Sequence, residues 1–249
     1  MMVQMESLWP DLDTEQAEML RPTRREQWLR LLFPARCVLC DAVVPMQSGL
    51  LVCEPCHGLL EPEESVWRAC PEWPEIDAWY SPFPYAGGVE QAIRNMKYNG
   101  RPGNAETLSF LLAEAIRRME DCPEFAGIIP VPMHHRKERA RGYNQAVILA
   151  EGLGRYFEVP VFLQAVEKHL HTISQNGLNR HERFSVLEGS FSPYPGGSVP
   201  AIPRILLVDD VVTTGSTLRA CASAIRKAYG ETGQLTQPVL IHAVTIAFA

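Results

Sequence analysis

The sequence predicts an α/β fold, a mostly parallel sheet with flanking helices, preceded by a small cysteine-rich module. Three observations lead there. From Gly88 onward, apolar strand-like runs alternate with segments of helical composition. Ile205-Leu206-Leu207-Val208 is a continuous apolar run, the pattern of a strand buried on both faces. Four of the seven cysteines fall in one spaced cluster ahead of these elements. With 249 residues the chain is long enough for a sizeable core.

Taken in order, residues 1–33 read as an N-terminal extension, and residues 34–75 as the cysteine module with its connector. Residues 76–249 read as the α/β domain. In the extension, Trp28, Leu29, Leu31, Leu32 and Phe33 form an apolar cluster expected to dock on the rest. Glu61–Pro84, rich in Pro and Trp, reads as an irregular connector. Helices are expected over Gly88–Lys97, Ala105–Met119, Asn144–Phe157 and Leu218–Tyr229, the last ending at Gly230. Strands are expected over Phe125–Val131, Val159–Leu163, Ile205–Asp209 and Leu240–Phe248. Ser192–Pro203, dense in Pro and Gly, reads as a loop or turn.

Composition narrows the function classes. The net charge of −6 argues against whole-surface attraction to nucleic acid, though not against a local basic patch. No apolar run reaches membrane-spanning length, and Met5–Met19 is acidic and polar, unlike a signal peptide. A cytoplasmic location is therefore expected. In that compartment, spaced cysteines point to a metal before disulfides.

Cys37, Cys40, Cys53 and Cys56 follow C-x2-C-x12-C-x2-C. Each C-x2-C knuckle puts two sulfurs on one ion. Two knuckles complete a tetrahedral thiolate site that favours Zn²⁺ and leaves no open coordination position, so the metal would be structural. An iron–sulfur cluster and redox-active or buried thiols are the alternatives. His57 reads as a bystander and Cys221 as core.

Beyond Val208 come Asp209 and Asp210, then Thr213, Thr214, Gly215, Ser216 and Thr217, then a helix. A strand–loop–helix unit aims backbone N–H groups and the positive end of a helix dipole into one cup suited to a phosphate. The hydroxyls add donors, and Gly215 allows close backbone approach. The two carboxylates would repel phosphate, so they suit sugar hydroxyls, directly or through Mg²⁺. A buried strand with a capped helix is the bland alternative. The loop is neither a Walker loop, because no Lys follows a glycine pair, nor a dinucleotide loop, because G-x-G-x-x-G is absent.

A second unit, Phe125–Pro132 followed by a basic loop from His134 to Gln145, suits the lining needed by a diphosphate. Arg141 offers a planar fork and Gly142 close backbone approach; a solvated basic turn is the alternative. Lys97, at a helix C-terminus, is either a phosphate ligand or dipole compensation. Thr172–Arg183 reads as a mobile flap or a plain surface segment.

The Asp-Asp-Val-Val-Thr-Thr-Gly-Ser-Thr block resembles the phosphoribosyl-pyrophosphate (PRPP) motif of type I phosphoribosyltransferases. From about Leu32 to the C-terminus, the chain as a whole resembles the ComF family. The carriers are Leu32-Phe33-Pro34, the knuckles, Lys97-Tyr98-Asn99-Gly100, Pro130-Val131-Pro132, Arg141-Gly142-Tyr143-Asn144-Gln145, and Gln175 with Arg180 and Arg183. The resemblance implies a zinc finger at 34–75 ahead of a phosphoribosyltransferase-like domain at 76–249. It implies that Asp209 and Asp210 hold the ribose hydroxyls and that Thr213–Thr217 hold the 5′-phosphate, with PRPP and Mg²⁺ as ligands. It links the chain to DNA uptake in natural transformation or to use of DNA as a nutrient. Relatives carry further cysteine pairs where only Cys70 remains here, so one metal is expected. They also have Asn where this chain has Val186.

Two function classes follow. One is a Mg²⁺-dependent phosphoribosyltransferase with a nitrogen nucleophile as acceptor. The other is a catalytically silent PRPP- or nucleotide-sensing factor that binds single-stranded DNA and joins the DNA-uptake machinery. A transcriptional regulator is a third, weaker reading.

Overall fold

The structure, a computed structural model, describes residues 21–62, 67–98, 103–119, 121–169, 187, 189–196, 202–232 and 237–249. Along the chain, α1 (Arg24–Leu32) and the single turn α2 (Glu54–His57) precede two short strands, β1 (Ala78–Tyr80) and β2 (Phe83–Pro84). Then come α3 (Gly87–Tyr98), α4 (Gly103–Arg117), β3 (Gly127–Pro130), α5 (His135–Arg141) and α6 (Gln145–Phe157). The hairpin β4 (Val166–Lys168) and β5 (Phe191–Pro193) is followed by β6 (Arg204–Val212), α7 (Ser216–Thr232) and β7 (Leu240–Phe248).

The main sheet has the order β1-β7-β6-β3, with β2 also paired to β7, and all these pairings are parallel. Its centre is the β6–β7 ladder, from Arg204 opposite Leu240 to Val212 opposite Phe248. Both strands are apolar at successive positions because both faces are covered. Leu206, Val208, Val244 and Ile246 enter one core with α3, α4 and α6. Ile205, Leu207, Ile241 and Ala243 enter the other with α7 and the β4–β5 hairpin. The expected α/β class, a mainly parallel sheet behind a cysteine module, is what the chain forms.

Several boundaries differ from the sequence reading. The connector supplies two strands, because three- and two-residue segments complete a ladder on the long edge of β7 without an alternating pattern of their own. Val159–Leu163 meets β3 only through a bridge from Val161 to Ile128. The start of Ser192–Pro203 is strand, Ser192 pairing with Glu167 across β4–β5. The basic loop after Pro132 is the helix α5, started by His134, whose ring Nδ1 accepts from the Arg136 N–H at 3.2 Å. Gly230 does not end the last helix: its φ is not positive, and α7 continues to Thr232. Residues 1–20, Asn99, Gly100, the expected flap Thr172–Arg183 and Val186 lie outside the described residues.

The apolar cluster of the extension is exposed, which corrects the expected docking. No residue of α1 is buried; Trp28 is 73% and Leu32 76% exposed. The helix is held by its polar side instead, through Arg30, which donates to the Met46 and Ser48 carbonyls at 2.9 and 2.7 Å. That contact turns the apolar side outward.

The cysteine module packs on the sheet domain through Val38, Leu39 and Val44. The approach is close enough that a Cβ on Gly88, in the first turn of α3, would sit 2.9 Å from the Leu39 Cβ and 3.1 Å from its carbonyl oxygen. Gly88→Ala should therefore cost about 1–3 kcal/mol of stability by overpacking. Thermal unfolding reads this as a lower Tm; an unchanged Tm would mean the module yields freely.

Candidate functional site

The Cys37 knuckle is a tight turn. The Cys37 N–H donates to the Ala42 carbonyl at 2.7 Å, and the Asp41 N–H to the Cys37 carbonyl at 2.9 Å, with Asp41 left-handed at φ 63°. The second knuckle spans the turn α2, with Cys53 at its N-cap. The Val38 N–H donates to the Leu51 carbonyl at 2.8 Å and ties the two together. The result is that the Cys37, Cys40, Cys53 and Cys56 sulfurs all lie within 4.8 Å of one another. Cys40 and Cys53 are 3.5 Å apart at Sγ. Burial opposes ionisation of the Cys37 thiol, yet the backbone around Cys53, Leu39 and Cys40 draws it down to about 7. Four converging sulfurs, with no fifth donor grouped with them among the described residues, fit a structural zinc ion. His57 is not part of it.

At the carboxyl ends of β3 and β6, a cavity of about 310 Å³ opens between α3, α5, α6 and the β4–β5 hairpin. This is where ligands bind in parallel α/β sheets. Asp209 and Asp210 both line it, but from within β6 rather than beyond its end. The strand outruns the apolar run because β7 keeps pairing, Asp209 opposite Thr245 and Val212 opposite Phe248.

Strand alternation sends the two carboxylates to different neighbours. Asp210, buried, accepts Lys97 Nζ at 2.9 Å and Gln145 Nε2 at 3.0 Å on the same Oδ2. Burial works against the charge on Lys97, but the Asp210 carboxylate more than offsets this and lifts the ammonium above its usual range. Asp209 accepts from the Asp210 N–H at 2.8 Å. Its burial, then the charge of Asp210, push its carboxyl up to about 7. Lys168 is pulled below its usual range by burial, only partly opposed by Asp209.

Asn144 sets the approach of α6. Its Oδ1 accepts from the Ala146 N–H, capping the helix, while its Nδ2 donates to the Val131 carbonyl, both at 3.0 Å. Gln145, the next residue, then reaches Asp210. Arg141 donates to the Gln145 side-chain Oε1 and lies over the Tyr98 ring, its guanidinium carbon 5.5 Å from the centroid. The Tyr143 hydroxyl donates to the Met96 carbonyl and holds α3 to this turn.

The expected phosphate loop is built differently from a simple open cup. Gly215 is left-handed at φ 72°, and a Cβ there would meet the Trp73 indole at 2.2 Å. Its freedom thus serves Trp73 as well as the turn. The Thr214 and Ser216 hydroxyls bond each other at 2.8 Å. Of Thr213, Thr214, Gly215, Ser216 and Thr217, only Thr217 lines the cavity; Thr213 is exposed. Gly142, left-handed at φ 90°, caps α5 through its N–H to the Glu138 carbonyl at 2.7 Å and does not line the cavity. Lys97 and Arg141 do line it.

Among the polar lining residues, Tyr98, Lys137, Gln145 and Lys168 carry no site role in the sequence reading. Lys137 lay within the flagged basic run. Tyr98 and Gln145 stand in the motifs that carry the family resemblance, which gave them no role of their own. Lys168 had none, since its place depends on the hairpin that sets it 4.7 Å from the Phe191 ring.

One zinc per chain is expected by metal-release assay. Cys40→Ser should release it, and chelation of the wild type should lower Tm, because metal binding contributes folding free energy to so small a module. A metal-free protein with the same Tm would refute the structural role.

No protein-family model matches the chain. It is 35% identical over 138 residues to "Competence protein F" of Haemophilus influenzae, covering 54% of this chain and 60% of that protein. It is 31% identical over 155 residues to "DNA utilization protein YhgH" of Shigella flexneri, covering 61% and 66%. To "Competence protein ComFC" of Bacillus subtilis it is 31% identical over 98 residues, covering 39% and 37%. The matches thus span 60% and 66% of the length of the first two relatives. Among the described residues no helix is long and apolar enough to cross a membrane. With these homologues and a four-cysteine cluster ahead of a parallel sheet, the chain belongs to the ComF family.

Proposed function

We propose that the chain binds PRPP, or a closely related sugar phosphate, at the cavity beyond β6, as a phosphoribosyltransferase acting in DNA uptake or in use of DNA as a nutrient. The observation that carries this is the charge pattern of one cavity. Two adjacent carboxylates, Asp209 and Asp210, face four side-chain cations, Lys97, Lys137, Arg141 and Lys168. A ligand matching that pattern carries hydroxyls at one end and several phosphate charges at the other. The names of the Haemophilus and Shigella relatives, competence and DNA utilization, supply the cellular context. In this reading residues 76–249 are the transferase-like domain, and 34–75 the zinc module with its connector.

Asp209 and Asp210 would hold the ribose 2′ and 3′ hydroxyls, with Lys97 and Gln145 fixing the Asp210 carboxylate. Thr213–Thr217, at the start of α7, would take the 5′-phosphate on hydroxyl and backbone donors. Arg141, Lys137 and Lys168, with Lys97, would face the diphosphate. The nitrogen lone pair of the acceptor forms the new bond to C1, and the C1–O bond breaks with its electrons leaving on the diphosphate. Asp209, with its carboxyl near neutrality, is suited to take the proton the acceptor sheds. The carboxylate oxygens of Asp209 and Asp210 fit a hard cation. Mg²⁺, when bound with PRPP, neutralises diphosphate charge.

A catalytically silent PRPP- or nucleotide-sensing factor that binds single-stranded DNA is the second reading. The exposed basic helix α5, with Arg136, Lys137 and Arg139 beside the cavity, favours it. Release of diphosphate in the presence of a nitrogen acceptor separates the two.

Calorimetric titration with PRPP and Mg²⁺ should show binding by the wild type and none by Asp209→Ala. The Asp209 carboxyl is held up at about 7 in the free protein, so its ionised form is fully present only above that pH. Binding that uses the carboxylate should be roughly tenfold weaker at pH 6 than at pH 8. Equal heats from the variant, or affinity that rises toward acid, would overturn the reading.

A further inference from the structure

Tyr98 is the last residue of α3 and stands at the mouth of the cavity. It is 73% exposed. It is nonetheless held. The Arg141 guanidinium lies 5.5 Å from its ring centroid, and Arg141 is fixed in turn by Gln145. Gln145 donates to Asp210 at 3.0 Å, and Asp210 accepts Lys97 at 2.9 Å. Lys97 is the chain neighbour of Tyr98. The contacts therefore close a loop, Tyr98–Arg141–Gln145–Asp210–Lys97, and the ring is anchored by the network that holds the acid pair.

A fixed aromatic plane, largely open to solvent, at the edge of a cavity that also holds two carboxylates and four cations, offers a stacking face that the other aromatic ring in the lining, the buried His134, does not expose. It presents an apolar π-face at the rim, next to a guanidinium that also stacks on planar rings. We propose that Tyr98, with Arg141 beside it, is a stacking platform for a planar nitrogen heterocycle, a nucleobase, at the mouth of the cavity. The base is either the free acceptor of the transfer or a base within a single strand whose phosphates run along α5. This assignment rests on the proposed function for the site but is read by base binding, apart from PRPP.

Base binding is measured for wild type, Tyr98→Phe and Tyr98→Ala in two arms. One is saturation-transfer NMR with free adenine and guanine. The other is fluorescence anisotropy with a labelled single-stranded oligonucleotide at fixed salt. Loss of one stacked base should weaken binding roughly tenfold in Tyr98→Ala, with Tyr98→Phe within about twofold of wild type. An effect confined to the free bases identifies the acceptor as the source, and one confined to the oligonucleotide identifies the strand. Wild-type affinity in Tyr98→Ala, or no base binding by the wild type in either arm, overturns the assignment. A parallel titration of wild type with PRPP and Mg²⁺ reads the proposed function separately. Absence of that heat ends the PRPP reading whichever way base binding falls.

Discussion

The ion pair between Lys97 and Asp210, 2.9 Å long and largely withdrawn from water, is the constraint around which the cavity is arranged. Taking two charges out of water costs several kcal/mol, and their attraction rarely returns it in full. Here Gln145 adds a second hydrogen bond to the same carboxylate oxygen. Asp209 lies next door with its carboxyl forced up toward neutrality, so the region is a local concentration of unfavourable burial. A core built for stability alone would fill this position with apolar side chains. The retained charge makes sense if a ligand completes it.

Three separate elements meet to hold that pair. β6 carries the acids past the end of its apolar run because β7 keeps pairing beside it. α3 delivers Lys97 at its C-terminal turn, where the helix dipole also favours a cation. α6 delivers Gln145 at its first turn, positioned by the Asn144 cap on β3. On the opposite face, Glu75 binds Arg219 of α7 through both carboxylate oxygens, at 2.8 and 3.1 Å. Arg226 of the same helix reaches Asp77 at 2.8 Å. The connector is thus strapped onto α7, which brings Trp73 against Gly215 and fixes the turn after the acids. The turn is rigid for reasons that lie far from it in sequence.

Much of this was legible from residues alone, where a signal is local. β7 begins and ends where its apolar run does, α6 starts one residue inside the expected range, and the paired C-x2-C knuckles bring their four sulfurs together. Signals that depend on a partner were not legible. β1 and β2 are strands only because β7 offers an edge. α5 has no apolar stripe and no buried residue, so its seven residues read as loop. The apolar residues of α1 followed the ordinary rule that such clusters dock, and Arg30 reverses it. In the cavity, residue chemistry marked Asp209, Asp210, Lys97 and Arg141. Lys168 belongs to the site through a hairpin whose pairing no local pattern announces.

Thermal unfolding of the double variant Lys97→Met/Asp210→Leu, with and without PRPP and Mg²⁺, tests the central claim most directly. Replacing a buried ion pair by apolar side chains of similar size is neutral or stabilising by about 1–4 kcal/mol. The variant should therefore have a Tm at least equal to wild type, and should lack the ligand-induced rise expected of wild type. A ligand-induced rise in the variant as large as in wild type would contradict a functional role for the pair. So would a Tm well below wild type without ligand, because it would make the pair a structural necessity.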